Sequence, residues 1–312
     1  MDKTPKTEKL LKQLEKKYTE IDQDMETHLE GLIYSEPMTY WDYIQTDALL
    51  NLQIQRTTLP DEMVFIMYHQ LNELLFKMIL WEIRQVSHHK KITASFFSSR
   101  LMRISRYFDM LTSSFAIMQE GMDVEQYLKF RNTLTPASGF QSAQYRKIEF
   151  ASTDLINLID ARFRETIDRD TPYEHALEHL YWQAAGKDYK TGKKSYLLEA
   201  FEEKYKNEFI AFTQEYNTIN LYAKFKELPV AVNEDPELVK AMRHYDYTVN
   251  ITWVMAHYNA AKHYLSEGNS EETIEATGGS DWKKYMHPKY QRRIFFPDLW
   301  TEEELKNWGT NL

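Results

Sequence analysis

The stretch from Pro60 to about His88 places apolar residues at helical spacing along its whole length, and this feature constrains the fold most. One stripe on it consists of Val64, Tyr68, Leu71, Leu75 and Met78. Apolar residues three and four positions apart lie on one face of an α-helix. The spacing therefore predicts one long helix with a buried face, which commits the chain to a helical core.

Composition supports the same fold class along the rest of the chain. Glycine and proline occur only nine times each in 312 residues, and no convincing alternation of apolar and polar residues predicts a strand. Helical spacing predicts helices at about 6–30, 61–88, 93–119, 123–134, 152–168, 173–184, 196–226 and 236–265. Thr39 and Thr301 are predicted helix N-caps, and Glu304 completes a capping box with Thr301. We therefore predict an all-α protein with an N-terminal helical arm at 1–36 and one helical-bundle domain at 37–312.

Charge and residue content exclude several classes of function. The net charge is −9, whereas proteins that bind nucleic acids or anionic membranes are normally basic, so we expect neither partner. The chain has no cysteine, which excludes disulfides, iron–sulfur clusters and thiol nucleophiles. The N-terminus is charged throughout and the apolar stretches are short, so neither a signal peptide nor a membrane span is predicted. We expect a soluble, cytoplasmic protein.

The segment HALEH is the most prominent short motif. It places His175, Glu178 and His179 in the H-x-x-E-H pattern of inverted zinc peptidases. Two histidines four positions apart share one face of a helix and are able to bind a metal ion. A five-residue pattern arises easily in an acidic helical chain, so a solvated helix face is the simpler interpretation. A zinc hydrolase stays open as a less favoured hypothesis.

Three other segments each place an aromatic residue one helical turn before a basic side chain. They are Phe65 and His69, Tyr127 and Arg131, and Trp253 and His257. Each pair alone has an ordinary structural explanation, as core histidines or as a pair at the surface. Together they supply what a site for haem and an amino acid requires, because a neutral imidazole binds iron and an arginine fork binds a carboxylate.

Small residues near the same segments fit that interpretation. Ala260 and Ala261 leave room for a flat macrocycle beside the helix of His257, and the glycines at 278–279 allow a loop to bend over a ligand. From composition and spacing alone, this site is one option among several.

Longer stretches of the chain, from about Met38 to Trp300, resemble the tryptophan 2,3-dioxygenase family. The segment TYWDYIQTDALLNLQ is similar to the family's N-terminal motif, and DEMVFIMYHQLNELLFKM is similar to its distal helix. The segment SGFQSAQYR is a highly specific match. WVMAH is similar to the W-x-x-x-H that carries the proximal histidine, ATGGSDW to the closing loop, and FFPDLW to the C-terminal segment.

The resemblance implies a haem b enzyme, active with Fe2+, that inserts both atoms of O2 across the indole 2,3-bond of L-tryptophan. The product would be N-formylkynurenine, the first intermediate of the kynurenine route of tryptophan catabolism. The resemblance implies that His257 is the axial ligand of the haem iron and that His69 is a catalytic residue, hydrogen-bonded to the indole N–H. The residues implied to contact the substrate are Phe65, Tyr127, Arg131 and Thr277, and those implied to line the distal haem pocket are Ser138 and Gly139.

The resemblance also implies an assembly. The family forms helical homotetramers in which the N-terminal segment of one subunit lines the pocket of its neighbour. By match, Tyr40, Tyr43 and Ile44 are the residues that come from that neighbour. The arm at 1–36 is accordingly expected to make oligomer contacts.

Departures from the family pattern mark a divergent member. The link at 258–276 is longer and more acidic than is usual, and Ala276 stands at the first glycine of the family's G-T-G-G turn. His244 and His263 flank His257 and are weaker candidates for the iron ligand. Two alternatives stay open besides the zinc hydrolase: a haem monooxygenase of the same superfamily acting on another indole or aromatic amino acid, and a non-catalytic helical protein that retains the fold.

Overall fold

The structure, a computed structural model, describes residues 4–131, 141–188, 191–267 and 286–310. These residues form α-helices and short 3-10 turns, and over these ranges the only β-structure is two isolated bridges. The prediction of an all-α protein is therefore confirmed. None of the helices in these ranges is both long and apolar enough to cross a lipid bilayer. The chain divides into two compact units, Met1–Gln53 and Ile54–Leu312.

The N-terminal unit contains α1 (Pro5–Thr19), α2 (Met25–Tyr34), α3 (Tyr40–Ile44) and α4 (Thr46–Leu49). The single helix predicted for 6–30 is wrong, because the chain turns between α1 and α2. Asp22 adopts left-handed backbone with a φ of 54°, and Asp24 then caps α2 by accepting from the backbone N–H of Thr27 at 2.9 Å. Thr39 caps α3 through its side chain, as predicted.

The second unit begins with α5 (Asp61–Ser87), whose bounds agree with the prediction. After it come α6 (Ala94–Ser113), α7 (Phe115–Glu120), α8 (Val124–Arg131) and α9 (Ala143–Ser152). The next helices are α10 (Tyr173–Ala176), α11 (Tyr196–Tyr216), α12 (Leu221–Lys226), α13 (Val230–Asn233) and α14 (Pro236–Tyr247). A π-turn at Thr248–Thr252 joins α14 to α15 (Trp253–Glu267), and α16 (Pro288–Gln291) and α17 (Glu302–Lys306) follow.

Several predicted helices are broken in the structure. The helix predicted at 152–168 is wrong, because 3-10 turns at Leu155–Leu158 and Ala161–Phe163 stand there instead. The helices predicted at 93–119 and 196–226 each consist of two shorter helices. Apolar spacing did not indicate these breaks, because each piece keeps buried apolar residues at helical spacing. The capping box predicted at the start of α17 is confirmed.

The main hydrophobic core lies between α5, α6, α9, α11 and α14. Here α6 packs against both α5 and α14, and α5 packs against α9. A smaller group of buried side chains, called the second cluster, joins α5, α7, α8 and α15. It consists of Tyr68, Phe115, Met118, Met122, Phe130, Ala260 and Tyr264. Phe65, Tyr127 and Trp253, which the sequence singled out, pack against the second cluster.

Candidate active site

Three helices bring the predicted aromatic and basic side chains together. Phe65 and His69 lie on α5, Tyr127 on α8 and His257 on α15, and α8 packs against both of the other helices. The Phe65 ring centroid lies 4.0 Å from that of His69 and 6.1 Å from that of Tyr127. Tyr68 continues the contact from His69, at 5.3 Å, toward Phe115 at 6.2 Å. We call this group of neighbouring side chains, Phe65, His69, Phe115, Tyr127 and His257, the aromatic recess.

His69 is held in one tautomer. Its Nδ1 lies 2.8 Å from the carbonyl oxygen of Phe65, which only accepts hydrogen bonds, so Nδ1–H is the donor. In the neutral ring, Nε2 is then left as an acceptor. Burial lowers the pKa of His69, while the hydrogen bond to Phe65 and the charge of Glu73 raise it in part. The side chain of His69 is nevertheless exposed, so it is not packed into the core.

His257 lies on α15 against two aromatic rings. Its imidazole is stacked on Phe115, with centroids 5.5 Å apart and an interplanar angle of 12°, and lies 5.8 Å from Trp253. Burial, with a smaller contribution from the nearby His69, lowers the pKa of His257 to about 4. Within the described part of the chain, no group hydrogen-bonds this imidazole. The ring is therefore neutral at pH 7 and offers a nitrogen lone pair.

A cation and two phenols stand beside the recess. Tyr127 packs on Tyr264 of α15 with centroids 4.1 Å apart. Burial raises the pKa of Tyr127, and the charge of Arg131 lowers it in part. Arg131 itself is half-buried at the last residue of α8. A half-buried guanidinium is suited to bind a carboxylate through two parallel hydrogen bonds.

Not every predicted site residue belongs to the recess as described. Ser138, Gly139 and Thr277 lie outside the described residues. Tyr40, Tyr43 and Ile44 belong to the N-terminal unit, where their side chains are exposed. The roles implied for these six residues stay predictions.

The HALEH segment does not form the predicted helix. The α-helix predicted at 173–184 is wrong, because α10 is only 4 residues long and 3-10 turns follow it. The His179 Nδ1–H donates to the carbonyl oxygen of His175 at 2.9 Å, and Glu178 pairs with Lys206 at 2.7 Å. No group of three or more histidine or carboxylate ligands occurs in the described ranges. The zinc hypothesis has no ligand set there.

Sequence reasoning missed a buried ionic network that contacts Tyr145. It consists of Arg146, Glu149, Tyr181 and Arg293, all of them buried. Glu149 is fully buried, pairs with Arg293, and lies 2.9 Å from Arg146. Tyr181 donates to Glu149 and accepts from both arginines. The only sequence signal was a pair of arginines directly before an apolar run, in RRIFF, and it does not reveal their partners.

A separate surface cavity of about 380 Å³ lies beside the 3-10 turns that follow α9. Asp154, Arg169 and Lys226 line it, and Asp154 pairs with each of these cations at 2.8 Å. It shares no lining residue with the aromatic recess. Asp154, Arg169 and Lys226 are thus engaged with one another.

The fold and the recess define a class of protein: an all-α protein whose helices hold two neutral histidines among aromatic rings. Comparison with known proteins then identifies the family. The profile of the family described as tryptophan 2,3-dioxygenase matches residues 26–280, which is most of the chain. The chain therefore belongs to the tryptophan 2,3-dioxygenase family and is an oxidoreductase.

Individual relatives agree with this assignment. The tryptophan 2,3-dioxygenase of Ruegeria sp. (strain TM1040) is 29% identical over 286 residues, covering 86% of this chain and 92% of that protein. The one from Pseudomonas aeruginosa (strain UCBPP-PA14) is 36% identical over 132 residues, 42% of this chain and 46% of that protein. The one from Sorangium cellulosum (strain So ce56) is 36% identical over 157 residues, 46% of this chain and 36% of that protein. Identities at this level fit a divergent member.

Proposed function

We propose that this chain is a haem-dependent dioxygenase that opens the indole ring of L-tryptophan with O2 and yields N-formylkynurenine. One observation carries the proposal: two neutral imidazoles, His69 and His257, share the aromatic recess of a member of this family. A neutral imidazole is the form that binds iron, and an imidazole with a fixed tautomer presents one acceptor nitrogen to a substrate N–H.

The residues of the recess fit a haem. His257 offers a neutral nitrogen, and the rings of Phe115 and Trp253 beside it provide apolar surface for a macrocycle. Ala260 follows on the same helix and contributes only a methyl group. When bound through His257, ferrous haem supplies the activation of O2.

His69 and Phe65 orient the indole. Because Nδ1–H of His69 is committed to the Phe65 carbonyl, Nε2 accepts the hydrogen bond of the indole N–H. The Phe65 ring, 4.0 Å from His69, packs on the face of the indole. His69 and Phe65, one helical turn apart, therefore contact the edge and the face of the same indole ring. Together they fix its orientation for the reaction.

Arg131 and Tyr127 bind the amino-acid end of the substrate. The half-buried Arg131 guanidinium takes the carboxylate, and such a pair is stronger there than at a fully exposed surface. Thr277 contacts the ammonium and carboxylate groups, and Ser138 and Gly139 line the distal side of the pocket. An analogue without a carboxylate lacks this charge-assisted pair and binds more weakly than L-tryptophan.

We also propose that the working form is a cytoplasmic homotetramer in which Tyr40, Tyr43 and Ile44 of a neighbouring subunit complete the pocket. These side chains are 73%, 74% and 41% exposed in the N-terminal unit. Aromatic and aliphatic surface of this extent favours a partner that covers it.

A single-turnover reaction tests the proposal. The full-length protein is loaded with haem, reduced without oxygen, mixed with L-tryptophan and exposed to isotopically labelled O2, and the product is analysed by mass spectrometry. Two labelled atoms, with the absorbance of N-formylkynurenine, support the proposal. One labelled atom would instead indicate the monooxygenase, and tryptophan bound to the haem protein without turnover would indicate a non-catalytic member. Absence of haem uptake would refute the haem site.

A further inference from the structure

The helix that carries His257 does not continue regularly from α14. Between the two helices, Thr248–Thr252 form a π-turn, in which each backbone hydrogen bond spans one residue more than in an α-helix. Val249 and Asn250 of this turn are buried, whereas Thr252 is exposed. Single π-turns of this kind occur within longer helices and are frequent beside functional sites.

The π-turn decides which way His257 faces. Tyr245, Val249, Trp253 and His257 are spaced four apart, and each step of four in a regular α-helix rotates the side chain by about 40°. From Tyr245 to His257 the rotation would reach about 120°, which is a different face of the helix. The extra residue taken up by the π-turn removes about 100° of it. The ring of Phe108 accordingly lies 6.2 Å from both Tyr245 and Trp253, one on each side of the turn.

One buried side chain holds this turn from outside the helix. Arg293 is 3% exposed, its Nε donates to Oδ1 of Asn250, and its Nη2 donates to the carbonyl oxygen of Val249 at 3.2 Å. Asn250 in turn donates to Asp246 at 2.6 Å. Because a π-turn interrupts the regular hydrogen-bond ladder, buried polar groups at the turn take partners from elsewhere in the chain.

Arg293 is itself fixed by the ionic network. It pairs with Glu149 and donates to Tyr181. Its Nη2 also donates to the hydroxyl of Tyr145 at 2.7 Å, and the Tyr145 ring lies 4.7 Å from that of Trp253. The same guanidinium therefore reaches the backbone of the turn and, through one phenol, the tryptophan that precedes His257 by one helical turn.

We propose that Arg293 is a positioning residue, which sets the rotation of α15 through the π-turn and so aims His257 at the haem iron. The consequence at the iron rests on the proposed function. The stabilisation of the π-turn depends only on the contacts of Arg293 and can be measured without haem.

A matched pair of substitutions separates this role from general stabilisation of the core. Arg293→Lys keeps the positive charge for Glu149 but loses the fork that reaches Val249 and Asn250. Arg146→Lys is the control, because Arg146 is 4% exposed and pairs with the same Glu149, but bonds to Tyr181 and not to the turn. A second variant, Asn250→Ala, removes one of the two links between Arg293 and the turn and leaves the bond to the Val249 carbonyl and both arginine pairs intact, with Thr252→Ala as its control.

Two readouts apply to the full-length protein. The first is amide hydrogen exchange by mass spectrometry, without haem, in the peptide that covers 248–257. The second is the iron–histidine stretching band of the reduced haem protein in resonance Raman spectra. A lost charge-assisted hydrogen bond corresponds to exchange about tenfold faster or more. We expect that increase, and a shifted or broadened iron–histidine band, in Arg293→Lys and Asn250→Ala, with both controls close to wild type.

Each outcome decides a different point. If Arg293→Lys does not fold, Asn250→Ala against Thr252→Ala decides alone. Equal exchange in the variants and their controls would overturn the hold on the turn. Faster exchange with an unchanged iron–histidine band would overturn the effect on His257. If the wild type takes up no haem, the proposed haem-dependent function is refuted. The exchange comparison still decides whether Arg293 stabilises the π-turn.

Discussion

Two regions of the second unit, the ionic network and the aromatic recess, are built in opposite ways. The ionic network buries a carboxylate and two arginines, each paired in a fixed geometry. The aromatic recess contains His69 and His257, and burial lowers the pKa of both imidazoles, so that neither is charged at pH 7. Buried charges with fixed partners specify one backbone arrangement, whereas neutral rings with an available nitrogen leave the interaction to a ligand.

Asp246 shows how a buried carboxylate orders the backbone around it. Its carboxylate accepts from the backbone N–H groups of Phe295 and Phe296 at 2.9 and 3.1 Å, from the indole of Trp300 at 2.9 Å, and from Asn250 at 2.6 Å. Burial raises the pKa of Asp246, and these hydrogen bonds lower it in part. One carboxylate thus ties α14, the π-turn and the C-terminal segment together.

Removing the proposed iron ligand has the largest expected effect. His257→Ala leaves the recess without a neutral nitrogen on α15, so we expect histidine-ligated haem to be lost. The control is His263→Ala, which changes a half-buried histidine on the same helix and should retain haem. Haem titration followed by the Soret band measures both. Equal haem binding by the two variants would move the ligand to another residue.

The contribution of the ionic network to stability is tested by removing the charge of Glu149. Glu149→Gln leaves two buried arginines facing an amide, and we expect the free energy of unfolding to fall by about 3–5 kcal/mol. Glu208→Gln is the matched control, because Glu208 is half exposed and pairs only with Lys147 at the surface, for an expected cost below about 1 kcal/mol. Urea denaturation at pH 7 compares them. Similar costs at the two positions would mean that the network does not stabilise the fold as argued.

Low pH should destabilise the haem-free protein, because it favours protonation of His257 in the aromatic recess. The pKa of His257 is about 4 in the folded protein against an ordinary value of 6.5, so the unfolded chain binds a proton that the folded protein refuses. The free energy of unfolding therefore falls as pH drops below 6.5 and levels off near 4, by up to about 3 kcal/mol from this group. The pH dependence of wild type minus that of His257→Ala isolates the effect. Parallel pH curves would contradict it.

Arg131→Ala has the smallest expected effect on stability and a specific one on the substrate. Loss of a charge-assisted pair raises the KM for L-tryptophan by about 10- to 100-fold, with haem binding unchanged. Lys129→Ala is the control, since Lys129 lies on the same helix and pairs with Glu125 at the surface. Tryptamine, which has no carboxylate, should lose little on the same substitution. An equal loss for both substrates would place the carboxylate elsewhere.

The residues of the recess were predictable where two of them belong to one helix. Phe65 and His69 are one turn apart, so their contact follows from helical geometry alone. The contact between Tyr127 and Tyr264 joins two helices, and no spacing in the sequence indicates it. The ionic network is harder to predict from the sequence, because Glu149 and Arg293 are 144 positions apart in the chain.

The sequence by itself determined the helical class, the bounds of α5 and the caps at Thr39 and Thr301, since these depend on residues within one or two turns. Only the tertiary structure decided where the long patterns break and which face of α15 meets the recess. The π-turn at Thr248–Thr252 contains neither glycine nor proline, and its outside partner Arg293 lies 43 positions beyond Asn250. Local hydrogen bonds are specified by neighbours in sequence, whereas buried charges find their partners only when distant segments meet.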